Sequence, residues 1–194
     1  MAETARAWLA LAAVLAAGAL AGSAVPREAI DWQPTLAAIQ PWRAFSAVFV
    51  HYSPLHLAAN LAGAALVAAL GRAARMPRHG ALAWLAAWPL TQLGLLLEPE
   101  LRHYGGLSGV LHAGVAIVAL HLLWTGAARR IGAAILAGLV LKVLGESPWA
   151  GPLAHPAGWD IAVAPLAHAS GLVAGLACAA IAEAIARRTC HRSP

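Results

Sequence analysis

Long apolar blocks, separated by short polar connections, constrain this chain more than any other feature. They run approximately over residues 8–25, 54–70, 81–97, 106–124, 131–144 and 161–186. A helix needs roughly 20 apolar residues to cross the hydrocarbon core of a bilayer, and six such segments with their connections nearly exhaust 194 residues. The blocks are apolar on almost every side. In lipid, a helix satisfies its own backbone without needing a closed barrel. The expected fold is therefore an all-α membrane protein with six transmembrane helices in a single domain spanning residues 1–194. Composition excludes the soluble alternative: 61% of residues are hydrophobic and 11% charged, where a soluble domain carries about a quarter charged.

Charge placement sets the expected orientation. Arg6 precedes the first block; Arg72, Arg75 and Arg78 lie between the second and third; Arg129 and Arg130 between the fourth and fifth; Arg187, Arg188 and Arg192 follow the sixth. With six spans all nine fall on one side, against Arg27, Arg43 and Arg102 on the other, so the positive-inside bias puts both termini in the cytoplasm. The first block also has signal-peptide features, with small residues at Ala21-Gly22-Ser23-Ala24; the parity of the charged loops favours a retained helix. The net charge of +5 sits in these short loops, which argues for membrane orientation and against a nucleic-acid partner. Cys178 and Cys190 lack metal or redox spacing and are expected to be free thiols. Trp32, Trp42 and Phe45, in the long connection from Pro26 to Ser53, suit an interfacial aromatic belt. Pro89 marks a kink in the third block.

Polar groups inside such blocks are costly, and an ionisable one marks a functional candidate. His56 and Asn60 share a face in the first turns of block two, at i, i+4 spacing. Ser108 opens block four within Gly105-Gly106-Leu107-Ser108-Gly109. His168 sits early in block six. Blocks two, four and six run in the same direction, so these four residues share one shallow depth below the extracytoplasmic surface. Ser108 with His168 supplies a nucleophile and a general base. The Asn60 amide, the His56 imidazole and the Ser108 N–H could receive an oxyanion. Gly171 and Gly175, at i+3 and i+7 from His168, with Gly109 on the facing helix, form a small-residue seam that allows close helix approach. Taken singly, a serine that bonds its own backbone or a packed histidine would explain each residue; the four at one depth make a stronger case.

Gly106-Leu107-Ser108-Gly109, His56-x-x-x-Asn60 and Ala167-His168-x-x-Gly171-x-x-x-Gly175, with Trp42-Arg43 and His51 upstream, resemble the rhomboid family of intramembrane serine proteases over about residues 40–185. The resemblance implies a rhomboid-like six-helix bundle with a Ser108–His168 dyad and no acidic third member. It implies oxyanion support from His56 and Asn60, a structural His51 in the rim, and a Trp42–Arg43 loop partly in the outer leaflet. Many rhomboids carry Tyr four residues after the serine; here His112 stands there. The run from Gly106 to His112, and more weakly Lys142-x-x-x-Glu146, resembles the bacterial rhombosortase subfamily. That likeness implies a bacterial inner-membrane protease clipping C-terminal GlyGly-CTERM segments (a Gly-rich motif, a transmembrane helix and a basic tail) from exported proteins. His112, one turn deeper on the Ser108 face, would stack on or bond to His168, contact substrate, or only fill space. The chemistry requires no cofactor and no metal. Two other readings compete: a haem or metal protein using some of the nine histidines, and a rhomboid-like protein that binds transmembrane helices without cutting them. His112 and His121, nine residues apart, fall on opposite faces, which weighs against the former.

Overall fold

The computed structural model describes residues 5–126 and 128–190, without the Cys190 side chain. Arg192 lies outside the described residues. Among the described residues, six long helices carry the fold: α1 (Arg6–Gly22), α2 (Pro54–Ala73), α3 (Arg78–Leu93), α4 (Ser108–Thr125), α5 (Arg129–Gly145) and α6 (Pro165–Cys190). A 3-10 turn, Gly94–Leu97, extends α3. Among the described residues there are no strands, only the isolated bridges Trp32–Tyr104 and Ala154–Val163. Four segments of the described residues are long and apolar enough to cross a membrane: Pro54–Ala73, Arg78–Leu97, Ser108–Thr125 and Pro165–Thr189. The helix α1 is apolar but only 17 residues long, about 25 Å at 1.5 Å per residue. The helix α5 has the same length.

Several boundaries move from those expected. Block four opens at Ser108 rather than at Gly106, because Gly106 takes a φ of +129°, outside the helical region. Block six opens at Pro165 rather than at Ile161: Val163 is held extended by its bridge to Ala154, and proline suits the first helical turn. The connection from Pro26 to Ser53 is not plain loop. It folds into short helices at Arg27–Ile30 and Arg43–Ser46 and 3-10 turns at Pro34–Leu36 and Ala47–Phe49.

Contacts at both ends show that neighbouring helices alternate in direction. Trp8, early in α1, donates its Nε1–H to the Val67 carbonyl late in α2 at 3.0 Å. Thr91, late in α3, accepts through its carbonyl from Ser170 Oγ, early in α6, at 2.8 Å. Arg187, late in α6, reaches the Trp124 carbonyl late in α4 at 3.2 Å, so these two helices run parallel. The alternation gathers Arg6, Arg72, Arg75, Arg78, Arg129, Arg130, Arg187 and Arg188 at one end and Ser108 and His168 at the other. At the arginine end, Glu183 is buried and its Oε1 lies 2.6 Å from His121 Nδ1 and 3.2 Å from His79 Nε2. Two imidazoles on separate helices thereby offset the cost of a buried carboxylate.

The helix α4 is the axis of the bundle. Its residues from Val110 to Ala119 are mostly buried, and the neighbouring Trp8 and Trp84 rings stack at 4.4 Å against this core. Trp84 Nε1–H donates to the Val110 carbonyl at 2.8 Å, satisfying an indole that burial would otherwise leave unpaired. Outward, Leu66, Leu141, Val173 and Ile181 are each about 60–70% exposed. An apolar perimeter around a core of alanine, glycine and tryptophan is what a lipid-facing bundle presents, where small residues drive helix contact.

Candidate active site

The site is assembled at the end opposite the arginines, and local sequence explains much of it. Ser53 caps α2: its Oγ accepts from the His56 N–H at 3.0 Å, Pro54 occupies the first helical position, and His56 falls at the third. Ser53 Oγ also donates to Asp160 Oδ1 at 2.8 Å, tying the start of α2 to the loop before α6. One turn on, Asn60 is buried, and its Nδ2 has no hydrogen-bond partner.

The turn before Ser108 is fixed from the other side. Trp32 and Tyr104 exchange backbone hydrogen bonds at 2.8 and 2.9 Å, and the Gly106 N–H donates to the Ala47 carbonyl at 3.0 Å. The Tyr104 hydroxyl donates to the Gly106 carbonyl at 3.4 Å; burial pushes that phenol up to about 12, so it remains a neutral donor. Gly106 could not be replaced freely. Its φ is left-handed, and a Cβ there would stand 2.7 Å from His56 Nε2. A donor for the scaffold comes from Arg43, which is buried and bonds the Asp31 carbonyl at 2.8 Å and Asp31 Oδ1 at 3.2 Å. Trp42 lies exposed beside it, under the guanidinium at 4.9 Å.

Ser108 Oγ and His168 Nε2 stand 2.8 Å apart, within the reach that proton transfer needs. Glycine makes this approach possible. A Cβ at Gly171 would collide with the Gly109 carbonyl oxygen, one at Gly175 would lie 2.5 Å from the Ala113 carbonyl oxygen, and one at Gly109 would lie 2.8 Å from the Ala167 carbonyl oxygen. Backbone therefore packs on backbone along α4 and α6 beside the Ser108–His168 pair.

The nitrogens of His56 can be assigned from their surroundings. Nδ1 accepts from the Tyr52 N–H at 3.4 Å, so in the neutral ring the proton is on Nε2, the nitrogen facing Gly106. His51 packs on this ring at 4.9 Å. Its Nδ1–H donates to the Phe49 carbonyl at 3.3 Å, and burial holds the imidazole below its ordinary range, so the ring is neutral. A cavity of about 710 Å³, mostly apolar, opens over Ser108, His168, His56 and Asn60.

His112 stacks on His168, with ring centroids 4.3 Å apart and planes at 13°. Three further contacts were not foreseen from the sequence. Glu146 Oε2 lies 2.7 Å from His168 Nδ1, where the resemblance implied a dyad without an acid. Lys142 Nζ lies 2.8 Å from Glu146 Oε1 and 2.7 Å from His112 Nε2. The signal available was Lys142 itself, an ionisable residue in an apolar block, with Glu146 at i+4. For the haem or metal reading, His51, His56, His112 and His168 do not gather into one ligand set: His51 pairs with His56, and His112 with His168. Among the described residues, the group with three ligand atoms in reach is His79, His121 and Glu183, at the other end of the bundle, where His121 Nδ1 and Glu183 Oε1 already share a hydrogen bond.

Fold and site together define a multi-pass membrane protein with a serine–histidine pair beneath a cavity at one end of the bundle. Residues 38–184 match the Rhomboid domain, well over half of the chain, and the chain belongs to the rhomboid family of intramembrane serine proteases. No curated protein and no solved structure matches it.

Proposed function

We propose that this protein is an active intramembrane serine endopeptidase with Ser108 as nucleophile and His168 as general base. The observation that carries this reading is the 2.8 Å approach of Ser108 Oγ to His168 Nε2 on two glycine-seamed helices. As Ser108 Oγ attacks the scissile carbonyl, its proton passes to His168 Nε2. The developing oxyanion is received by Asn60 Nδ2, the His56 Nε2–H and the Ser108 N–H at the uncapped start of α4. The unpaired buried amide of Asn60 supports this role, because a buried donor without an acceptor is costly unless its acceptor arrives with the substrate. His168 then returns the proton to the leaving amine, and water hydrolyses the acyl-enzyme by the same relay in reverse.

The six helices all cross the membrane in this reading. The arginine end lies in the cytoplasm, by the positive-inside bias, and the cavity faces the extracytoplasmic side of a bacterial inner membrane. The substrate class follows from the rhombosortase-like run ending at His112: a C-terminal segment with a Gly-rich motif, a transmembrane helix and a basic tail. Extended, glycine-rich backbone suits a buried nucleophile, because the scissile bond must leave its helix to be attacked.

The test is co-expression with a reporter carrying such a segment. Processing that depends on Ser108 supports the assignment. A reporter left at full length while an unrelated single-span protein is cut would remove the substrate class and keep the protease. Equal processing by wild type and Ser108→Ala would remove both.

A further inference from the structure

The contacts around His168 close into a ring. The Ser108 carbonyl, His112, Lys142, Glu146, His168 and the Ser108 hydroxyl follow one another at 2.6, 2.7, 2.8, 2.7 and 2.8 Å. Proton positions in it are nearly forced. A carbonyl only accepts, so His112 Nδ1 carries its proton and His112 Nε2 accepts from the Lys142 ammonium. That ammonium also donates to Glu146 Oε1. The other carboxylate oxygen, Oε2, accepts from His168 Nδ1–H, which leaves His168 Nε2 with the lone pair that Ser108 Oγ–H needs.

One contact conflicts with this order. Lys142 Nζ also lies 3.0 Å from His168 Nδ1. An ammonium has only donors, so it can bond Nδ1 only when that nitrogen carries no proton. The neutral imidazole would then hold its proton on Nε2 and could not accept from serine. Carboxylate and ammonium therefore compete for the same nitrogen, and they favour opposite tautomers. At 2.7 Å against 3.0 Å, and with a full negative charge facing an N–H, the carboxylate prevails.

We propose that Glu146 is the positioning residue of a Ser–His–Glu triad, and that it works by keeping the Lys142 ammonium off His168 Nδ1. Lys142 and His112 act through it: Lys142 holds the carboxylate in place, and His112 holds Lys142 while its stacked ring fixes the plane of His168. Such a carboxylate also stabilises the imidazolium formed when serine loses its proton. Glu146 is able to do this from the end of α5 because the short helix stops at Gly145, beside the start of α6. This inference rests on the protease reading above, and it separates from it in the following test.

Glu146→Gln keeps the side-chain shape and removes the charge. In serine hydrolases with a buried aspartate, the amide substitution that inverts the tautomer costs about 10⁴ in kcat. Glu146 is 29% exposed, so water takes over part of its task, and the expected loss in kcat is about 10²-fold with little change in KM. The same variant should label with a fluorophosphonate more slowly by a similar factor, while its thermal transition in detergent stays within a few degrees of wild type. The distinguishing result is the double variant Glu146→Gln/Lys142→Met. Removing the competing ammonium should recover about 10-fold of the lost kcat, a gain that a merely structural role for either residue does not give. Added formate should raise the kcat of Glu146→Ala and leave Ser108→Ala unchanged. Wild-type turnover in Glu146→Gln, or a double variant no faster than the single one, would overturn the triad. If Ser108→Ala is inactive in those same preparations, the protease reading survives that failure.

Discussion

Replacing Gly171 or Gly175 by alanine tests the geometry without touching a reacting group. At Gly175 the added methyl would stand 2.5 Å from the Ala113 carbonyl oxygen and 2.7 Å from Ala113 Cα, against an ordinary contact distance of 3.4 Å or more. The neighbours are backbone of a buried helix, so relief comes by separating α4 from α6 by about 0.9 Å, with overpacking of this kind costing about 1–3 kcal/mol. If that separation is passed on to the Ser108–His168 pair, its 2.8 Å bond opens beyond hydrogen-bond reach. A misplacement of about 1 Å in reacting groups can cost about 10² in rate. Gly171→Ala should be worse, because it lies one turn from His168 and its methyl meets the Gly109 carbonyl beside Ser108. The assay is cleavage of a transmembrane reporter in liposomes, with thermal unfolding in detergent as the control for folding. Gly171→Ala cleaving at the wild-type rate would refute the claim that glycine brings these helices into catalytic contact.

Three further outcomes follow. Asn60→Ala should lower kcat by about 10²–10³ with a small change in KM, as loss of one oxyanion donor does, and should leave the fold intact because Nδ2 has no partner to lose; steady-state kinetics checks both. Arg43→Ala should destabilise the protein by about 3 kcal/mol, at the low end for breaking a buried ion pair because Asp31 keeps Gln33 and His103; denaturation in detergent measures it. Burial alone would raise the Glu146 carboxyl, but the His168 and Lys142 bonds and charges outweigh it and hold it at about 2. Its contribution to stability is therefore complete above the ordinary carboxylate value near 4.5 and is lost as the pH falls towards about 2. The stability difference between wild type and Glu146→Gln should be flat above about pH 5 and shrink below it.

What could be read from the sequence divides along physical lines. Ser108, His168, His56 and Asn60 stood out because each is anomalous in an apolar block, and because alternating helix direction assigns a shared depth without any knowledge of packing. Gly171 and Gly175 followed from helical spacing alone. Glu146 stood out only by its spacing from Lys142, and its contact with His168 did not, because a carboxylate at the end of a helix is ordinary; its meaning depends on the distance to His168, and that distance is set by where α5 stops and α6 begins. Asp31 is similar: it looks like a solvated loop charge until the connection from Pro26 to Ser53 folds and Arg43 reaches it. Apolarity puts the start of α6 four residues early because Ile161 and Val163 are as apolar as the helix itself, and only the pairing of Val163 with Ala154 shows the chain to be extended there.

The central claim is that Ser108 is a nucleophile activated by His168. Treating the detergent-solubilised protein with a fluorophosphonate and mapping the adduct by mass spectrometry tests it most directly, since a serine hydroxyl without a base does not react at a useful rate. The account predicts a single adduct on Ser108, absent in Ser108→Ala and strongly reduced in His168→Ala. A folded wild-type protein that takes up no label, or takes it up equally after His168→Ala, would contradict it.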